Sequence, residues 1–175
     1  PTVLAKEIAT VDFISNGRML PAVGLGTESP NEFEACGSDI KQRAGRTDEA
    51  IDLMRRLWTE DDVTFEGRYY TVHDTTVEPK PHQNPMPVWI GGRTEPAFRR
   101  VGRKGDGWLT ASLTPDEIGI GIEKIHRYAE DAGRKVPNDH FGTIVSFRLD
   151  DTKAKALANA EPYIMGRLRP DTNPF

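Results

Sequence analysis

The chain has 175 residues and a formal charge of −4, with 23 lysines and arginines against 27 aspartates and glutamates. That balance offers no concentrated basic surface, so neither nucleic-acid backbones nor anionic membranes are expected partners. A single cysteine, Cys36, excludes an intrachain disulfide and any multi-thiolate metal site, and no apolar run approaches the ~20 residues of a membrane span, so a soluble cytoplasmic protein is expected.

From the start of the chain, Leu4, Ile8 and Val11 fall on one face of a helix that Ser15-Asn16-Gly17 terminates, and Met19 to Val23 follows as a buried strand. The chain opens on Pro1 and enters helical periodicity within a few residues, which leads us to expect an upstream part. Gly24-Leu25-Gly26-Thr27 ends the strand and opens a polar stretch to Gly45, too long for a plain connector and so read as a functional loop. Thr47-Asp48-Glu49 supplies an N-cap and an acidic first turn to a helix carrying Ala50, Ile51, Met54, Leu57 and Trp58 inward.

Val63-Thr64-Phe65 and Tyr69 to Val72 flank Glu66-Gly67-Arg68 as a short hairpin, and Pro79, Pro81, Pro85 and Pro87 then hold an extended link up to the strand Val88-Trp89-Ile90. Gly91-Gly92-Arg93-Thr94 joins that strand to a helix from Glu95 to Arg103. Two residues without Cβ let backbone N–H groups approach a ligand where the helix presents its own unsatisfied N–H groups, and Arg93 and the Thr94 hydroxyl add a charge and a donor. The same residues also read as a tight turn with Thr94 as N-cap. Basic residues Arg99, Arg100, Arg103 and Lys104 read as a solvated face.

Gly105-Asp106-Gly107 leads into the strand Trp108-Leu109-Thr110, and Thr114-Pro115-Asp116-Glu117 opens a capped helix through Ile118, Ile122, Ile125 and Ala129 to Gly133. A strand from Thr143 to Leu149 and a helix over about Thr152 to Ala160 complete the order. Helices alternating with strands predict parallel α/β architecture, in which the loops after Val23, Ile90 and Thr110 share one face. Two of those loops carry glycine pairs, Gly24 with Gly26 and Gly91 with Gly92, and together they read as a ligand site. His73, His82, His126 and His140 have no metal-type spacing, so they read as structural or solvated and no metal site is expected.

Val23-Gly24-Leu25-Gly26, Arg46-Thr47-Asp48-Glu49, Leu57-Trp58, Phe65 to Tyr70, Pro79-Lys80-Pro81, Pro87 to Gly92 and Gly105-Asp106-Gly107-Trp108, in this order and spacing, resemble the bacterial luciferase-like monooxygenase family. Within it the chain is most similar to the oxidoreductases that depend on the deazaflavin coenzyme F420, although branches using FMN share most of these motifs. The resemblance covers roughly Pro1 to Leu149. It implies a partial (β/α)8 TIM barrel, about strands four to seven with their helices, and a hairpin and Pro-rich insertion before the fifth strand. The whole chain, 1–175, is then one incomplete barrel segment, since a full barrel needs about 250 residues.

A fragment of a longer protein is the favoured expectation over a reduced relative that pairs with another chain, and a homo-oligomer is compatible with the latter. The resemblance places the coenzyme phosphate against Gly26 and Thr27 and against Gly91, Gly92, Arg93 and Thr94, and sets Trp108 near the coenzyme or, more simply, in the core. It transfers no catalytic residue, because the family's ring-contacting residues come largely from the first three strands. The expected activity is hydride transfer or oxygen activation on a small organic substrate, the alternative being a non-catalytic flavin-binding protein with a shortened barrel.

Overall fold

Four short strands align in parallel in the order β1-β4-β5-β6, while β2 and β3 form a separate antiparallel hairpin. The computed structural model describes residues 1–26 and 29–165. Chain order is α1 (Thr2–Ser15), β1 (Ala22–Val23), α2 (Pro30–Ala35), a 3-10 turn (Ile40–Gln42), α3 (Arg43–Thr59), β2 (Val63–Glu66), β3 (Thr71–Thr75), β4 (Trp89–Gly91), α4 (Glu95–Lys104), β5 (Gly107–Ala111), α5 (Pro115–Asp131), β6 (Phe141–Ile144) and α6 (Lys153–Met165). The predicted alternation of parallel strands and helices is therefore present, with the hairpin inserted ahead of β4.

Helix α1 ends where Asn16 takes a left-handed conformation at φ 57°. Its inward face is Ala5, Ile8, Ala9 and Asp12, whereas the predicted stripe residues Leu4 and Val11 are 44% and 49% exposed. Small side chains win these positions because α3 lies close by, and the Trp58 indole N–H donates to the Ala5 carbonyl at 2.9 Å. Strand β1 is shorter than the predicted Met19 to Val23. Side chains take the Met19 backbone groups instead: its N–H donates to Asp12 and its carbonyl accepts from Gln83.

The predicted loop to Gly45 contains helix α2 and the 3-10 turn, and α3 starts at Arg43 rather than after a Thr47 cap. Pro30 at the first turn of α2 and Asp39, whose carboxylate accepts from the Lys41 N–H at 2.9 Å, are the local signals for these starts. Asp48 and Glu49 therefore sit inside α3, where they serve other elements. Asp48 takes both the Nε (2.5 Å) and an Nη (3.2 Å) of Arg100, so this arginine is buried and paired, not part of a solvated face. Lys104 likewise bonds Asp52.

Asp106 shows why the Gly105-Asp106-Gly107 turn has an acid at its centre. Its carboxylate accepts from Arg55 (2.5 Å), Arg134 (3.0 Å) and the Val88 N–H (2.9 Å), tying α3, the segment after α5 and the start of β4 together. His140 Nδ1 lies 2.7 Å from the Asp106 carbonyl, a structural role for that histidine. Lys80, in the Pro-rich link, caps the end of α3 through the Leu57 and Glu60 carbonyls.

The two faces of the sheet differ in kind. Register partners Val23, Ile90, Trp108 and Phe141 point to the helices, where Trp108 is fully buried and packs edge-on against Phe98. On the other face Trp89 lies across two glycines, Gly107 and Gly142. A Cβ at Gly107 would fall 2.4 Å from the Trp89 ring, and one at Gly142 3.1 Å from it. The last strand runs Phe141–Ile144, not Thr143 to Leu149, because its ladder partner β5 ends where Ala111 pairs with Ile144. Beyond that point Val145, Phe147 and Leu149 are 70%, 82% and 80% exposed.

Candidate cofactor site

A cavity of about 380 Å³ opens at the carboxyl ends of the parallel strands, lined by Gly24 after β1, Gly91 at the end of β4 with Gly92 and Arg93 after it, and Thr110 and Ser112 at the end of β5. Both glycine loops thus lie at one end of the sheet. An added Cβ at Gly91 would meet the Leu109 carbonyl oxygen at 3.4 Å and the Val23 carbonyl oxygen at 3.5 Å. Gly92 adopts φ 127°, and a Cβ there would fall 2.6 Å from that of Ala97, so this turn packs directly on α4. The Trp108 indole N–H donates to the Gly92 carbonyl at 2.8 Å and fixes the turn from below.

Thr94 occupies the N-cap position of α4 with extended backbone, yet its hydroxyl makes no bond to the helix. Arg93 has no ion-pair partner among the described residues, and both side chains are exposed. Thr110 is 2% exposed and its Oγ1 has no hydrogen-bond partner. A glycine turn, a helix N-terminus, a free guanidinium and the uncommitted Thr94 hydroxyl make an environment suited to an anionic group such as a phosphate. The sequence-predicted residues Gly91, Gly92 and Arg93 come together here, and Thr94 follows directly at the helix start. Gly26, at φ 86°, packs toward Phe33 and does not line the cavity, its place being taken by Gly24; Thr27 lies outside the described residues.

The hairpin is held against α3 by Glu49. Its carboxylate accepts the backbone N–H groups of Arg68 (2.9 Å), Tyr69 (2.8 Å) and Tyr70 (2.7 Å). Burial pushes the Glu49 carboxyl up, but these three bonds and the charge of Arg46 outweigh it and hold it below the usual glutamate range. A group depressed in this way stabilises the fold fully above its ordinary value, roughly 4.3, and the contribution disappears as pH falls through the lower folded value. Glu49→Gln is therefore expected to lose about 1–3 kcal/mol at neutral pH and much less in acid, as read by urea denaturation across pH. Positioned by this tie, the Tyr70 ring lies 5.0 Å beneath the Arg46 guanidinium.

A match to the luciferase-like monooxygenase family spans residues 1–173. The chain belongs to this family. The luciferase-like chain is 41% identical over 150 residues to the F420-dependent glucose-6-phosphate dehydrogenase of Intrasporangium calvum, covering 78% of itself and 44% of that protein. Among solved structures, an F420-dependent secondary alcohol dehydrogenase in complex with an F420-acetone adduct is similar at 28% identity with a TM-score of 0.79, over 91% of this chain and 49% of that one. The oxygenating constituent of 3,6-diketocamphane monooxygenase from Pseudomonas putida, in complex with FMN, shares the fold at 18% identity and a TM-score of 0.77, over 95% and 51%.

The luciferase-like chain thus spans about half the length of the relatives it matches. Its fold is accordingly part of a luciferase-like barrel. Arg43, in the stretch to Gly45 read as loop, and Arg46, read only as part of a family motif, both stand in the first turns of α3 near this site. The start of α3 carries no side-chain cap, its N-cap position being Gln42, so no local signal marked their common face.

Proposed function

We propose that this chain is the cofactor-binding part of an oxidoreductase that uses coenzyme F420 or FMN to transfer hydride or activate oxygen on a small organic substrate. The observation that carries this reading is the cavity at the strand ends, bounded by Gly91, Gly92 and Arg93 and the start of α4. The coenzyme ring supplies the redox chemistry, and the protein supplies binding and orientation. Backbone N–H groups of the Gly91-Gly92 turn and α4, the Thr94 hydroxyl and the Arg93 guanidinium would hold the coenzyme phosphate. The names of the relatives favour F420 over FMN for this branch.

Calorimetric titration of the purified chain with each coenzyme tests the reading. Binding of at least one is expected, and absence of heat with both would remove it. Arg93→Ala is expected to weaken coenzyme binding about 10-fold or more, the worth of one charge-assisted contact. An unchanged dissociation constant would make Arg93 a plain surface charge.

A further inference from the structure

A second cavity, about 250 Å³, adjoins the first and shares Val23 and Gly24 with it. Arg43 and Arg46 line it from the first turns of α3, three residues apart and so on one helix face. Neither arginine has an ion-pair partner among the described residues. The one acidic side chain in the lining, Asp39, is already committed to the Lys41 N–H and to the Gln42 amide. Glu49 lies near enough to feel the charge of Arg46, but its carboxylate is bonded to the three hairpin N–H groups and to neither arginine. Tyr70 also lines it and holds the Arg46 guanidinium in place, while Ser38 and Thr47 add hydroxyls. Two guanidinium groups bonded to no described carboxylate, one of them held over a tyrosine ring, suit recognition of carboxylates.

We propose that this second cavity takes the anionic extension of a coenzyme beyond its first phosphate, a run of carboxylates, and that it thereby selects coenzyme F420 over FMN. The inference rests on the coenzyme reading above. FMN ends in a single phosphate, which the Gly91 to Thr94 turn accommodates alone, and it has nothing to place between Arg43 and Arg46. A coenzyme with a carboxylate tail reaches both cavities, because Val23 and Gly24 form their common wall.

The test is an Arg43→Gln/Arg46→Gln double variant titrated with F420 and with FMN by fluorescence. The F420 dissociation constant is expected to rise about 10-fold or more, with a shallower salt dependence, while that for FMN stays within roughly two-fold. An Arg43→Lys/Arg46→Lys variant is expected to recover part of the loss, which separates charge from packing. Unchanged F420 affinity, or equal loss for both coenzymes, overturns the proposal. Should the wild-type chain bind neither coenzyme, the coenzyme reading fails by itself. A γ-linked triglutamate titrated alone by NMR then decides the arginine site: binding lost in the Gln variant upholds it, and no binding to the wild type removes it.

Discussion

Gly102→Val is expected to destabilise the chain by about 3 kcal/mol or more, at the upper end of what overpacking costs. Gly102 lies in α4 where that helix crosses α5, and a Cβ there would fall 2.6 Å from the Tyr128 Cβ, 2.8 Å from the Ala129 nitrogen and 2.8 Å from the Ile125 carbonyl oxygen. Two of these three neighbours are backbone of a packed helix, so no side-chain rotation relieves the clash and the helices must separate. Because α4 begins at the Gly91-Gly92 turn, the same displacement disturbs the proposed coenzyme grip. Urea denaturation checks the first effect, and an unchanged midpoint would contradict the packing described. Gly119→Ala in α5 is the matched control. Nothing lies within 4 Å of the added methyl, so the ordinary gain of about 0.5–1 kcal/mol from removing a helical glycine is expected.

Asp12→Ala is expected to destabilise for the opposite reason, through loss of a buried acceptor. The Asp12 residue is fully buried, and its carboxylate accepts from the Gln83 backbone N–H (2.9 Å), the Gln83 amide (2.7 Å) and the Met19 N–H (3.2 Å). Those bonds fasten the end of α1 to the approach to β1 and to the Pro-rich link. Removing the carboxylate leaves the part-buried Gln83 and Met19 N–H groups without this acceptor, while the Gln83 amide keeps the Met19 carbonyl, so a total of about 1–3 kcal/mol is expected. Burial pushes the Asp12 carboxyl up, but the Gln83 and Met19 bonds prevail and hold it below the ordinary aspartate range. Its stabilising contribution is full above roughly pH 3.9 and is lost as pH falls through the lower folded value. Denaturation midpoints of wild type and Asp12→Asn should therefore converge in strong acid. A constant gap between them down to that range would refute this account.

Features that depend on a few adjacent residues were legible in the sequence. The Thr114 and Glu117 capping box is present with both reciprocal bonds, and the Gly91-Gly92 turn does join a strand to a helix start. Features settled by a partner element were not. Periodicity marks Leu4, Ile8 and Val11 as a stripe, but the approach of α3 selects Ala5 and Ala9 for the inside of α1. Apolar residues from Thr143 to Leu149 suit a strand, yet only a ladder makes one, and β5 supplies partners no further than Ile144. Asp48 and Glu49 look like first-turn acids, and their use by Arg100 and by the hairpin N–H groups is a tertiary fact. At the candidate site the glycine turn could be read directly. The arginines of the second cavity could not, because a helix start hidden in a polar stretch conceals their common face.

The order β1-β4-β5-β6 has a consequence for how the molecule breathes. Strands β4 and β5 are each bonded on both sides, whereas β1, two residues long, and β6 each have one neighbour among the described residues. Deuterium should therefore enter the flanking strands first and the central pair last. The turn at Gly91 hangs from β4, so it is anchored to the slowest-exchanging part of the sheet and keeps its shape while the margins fluctuate.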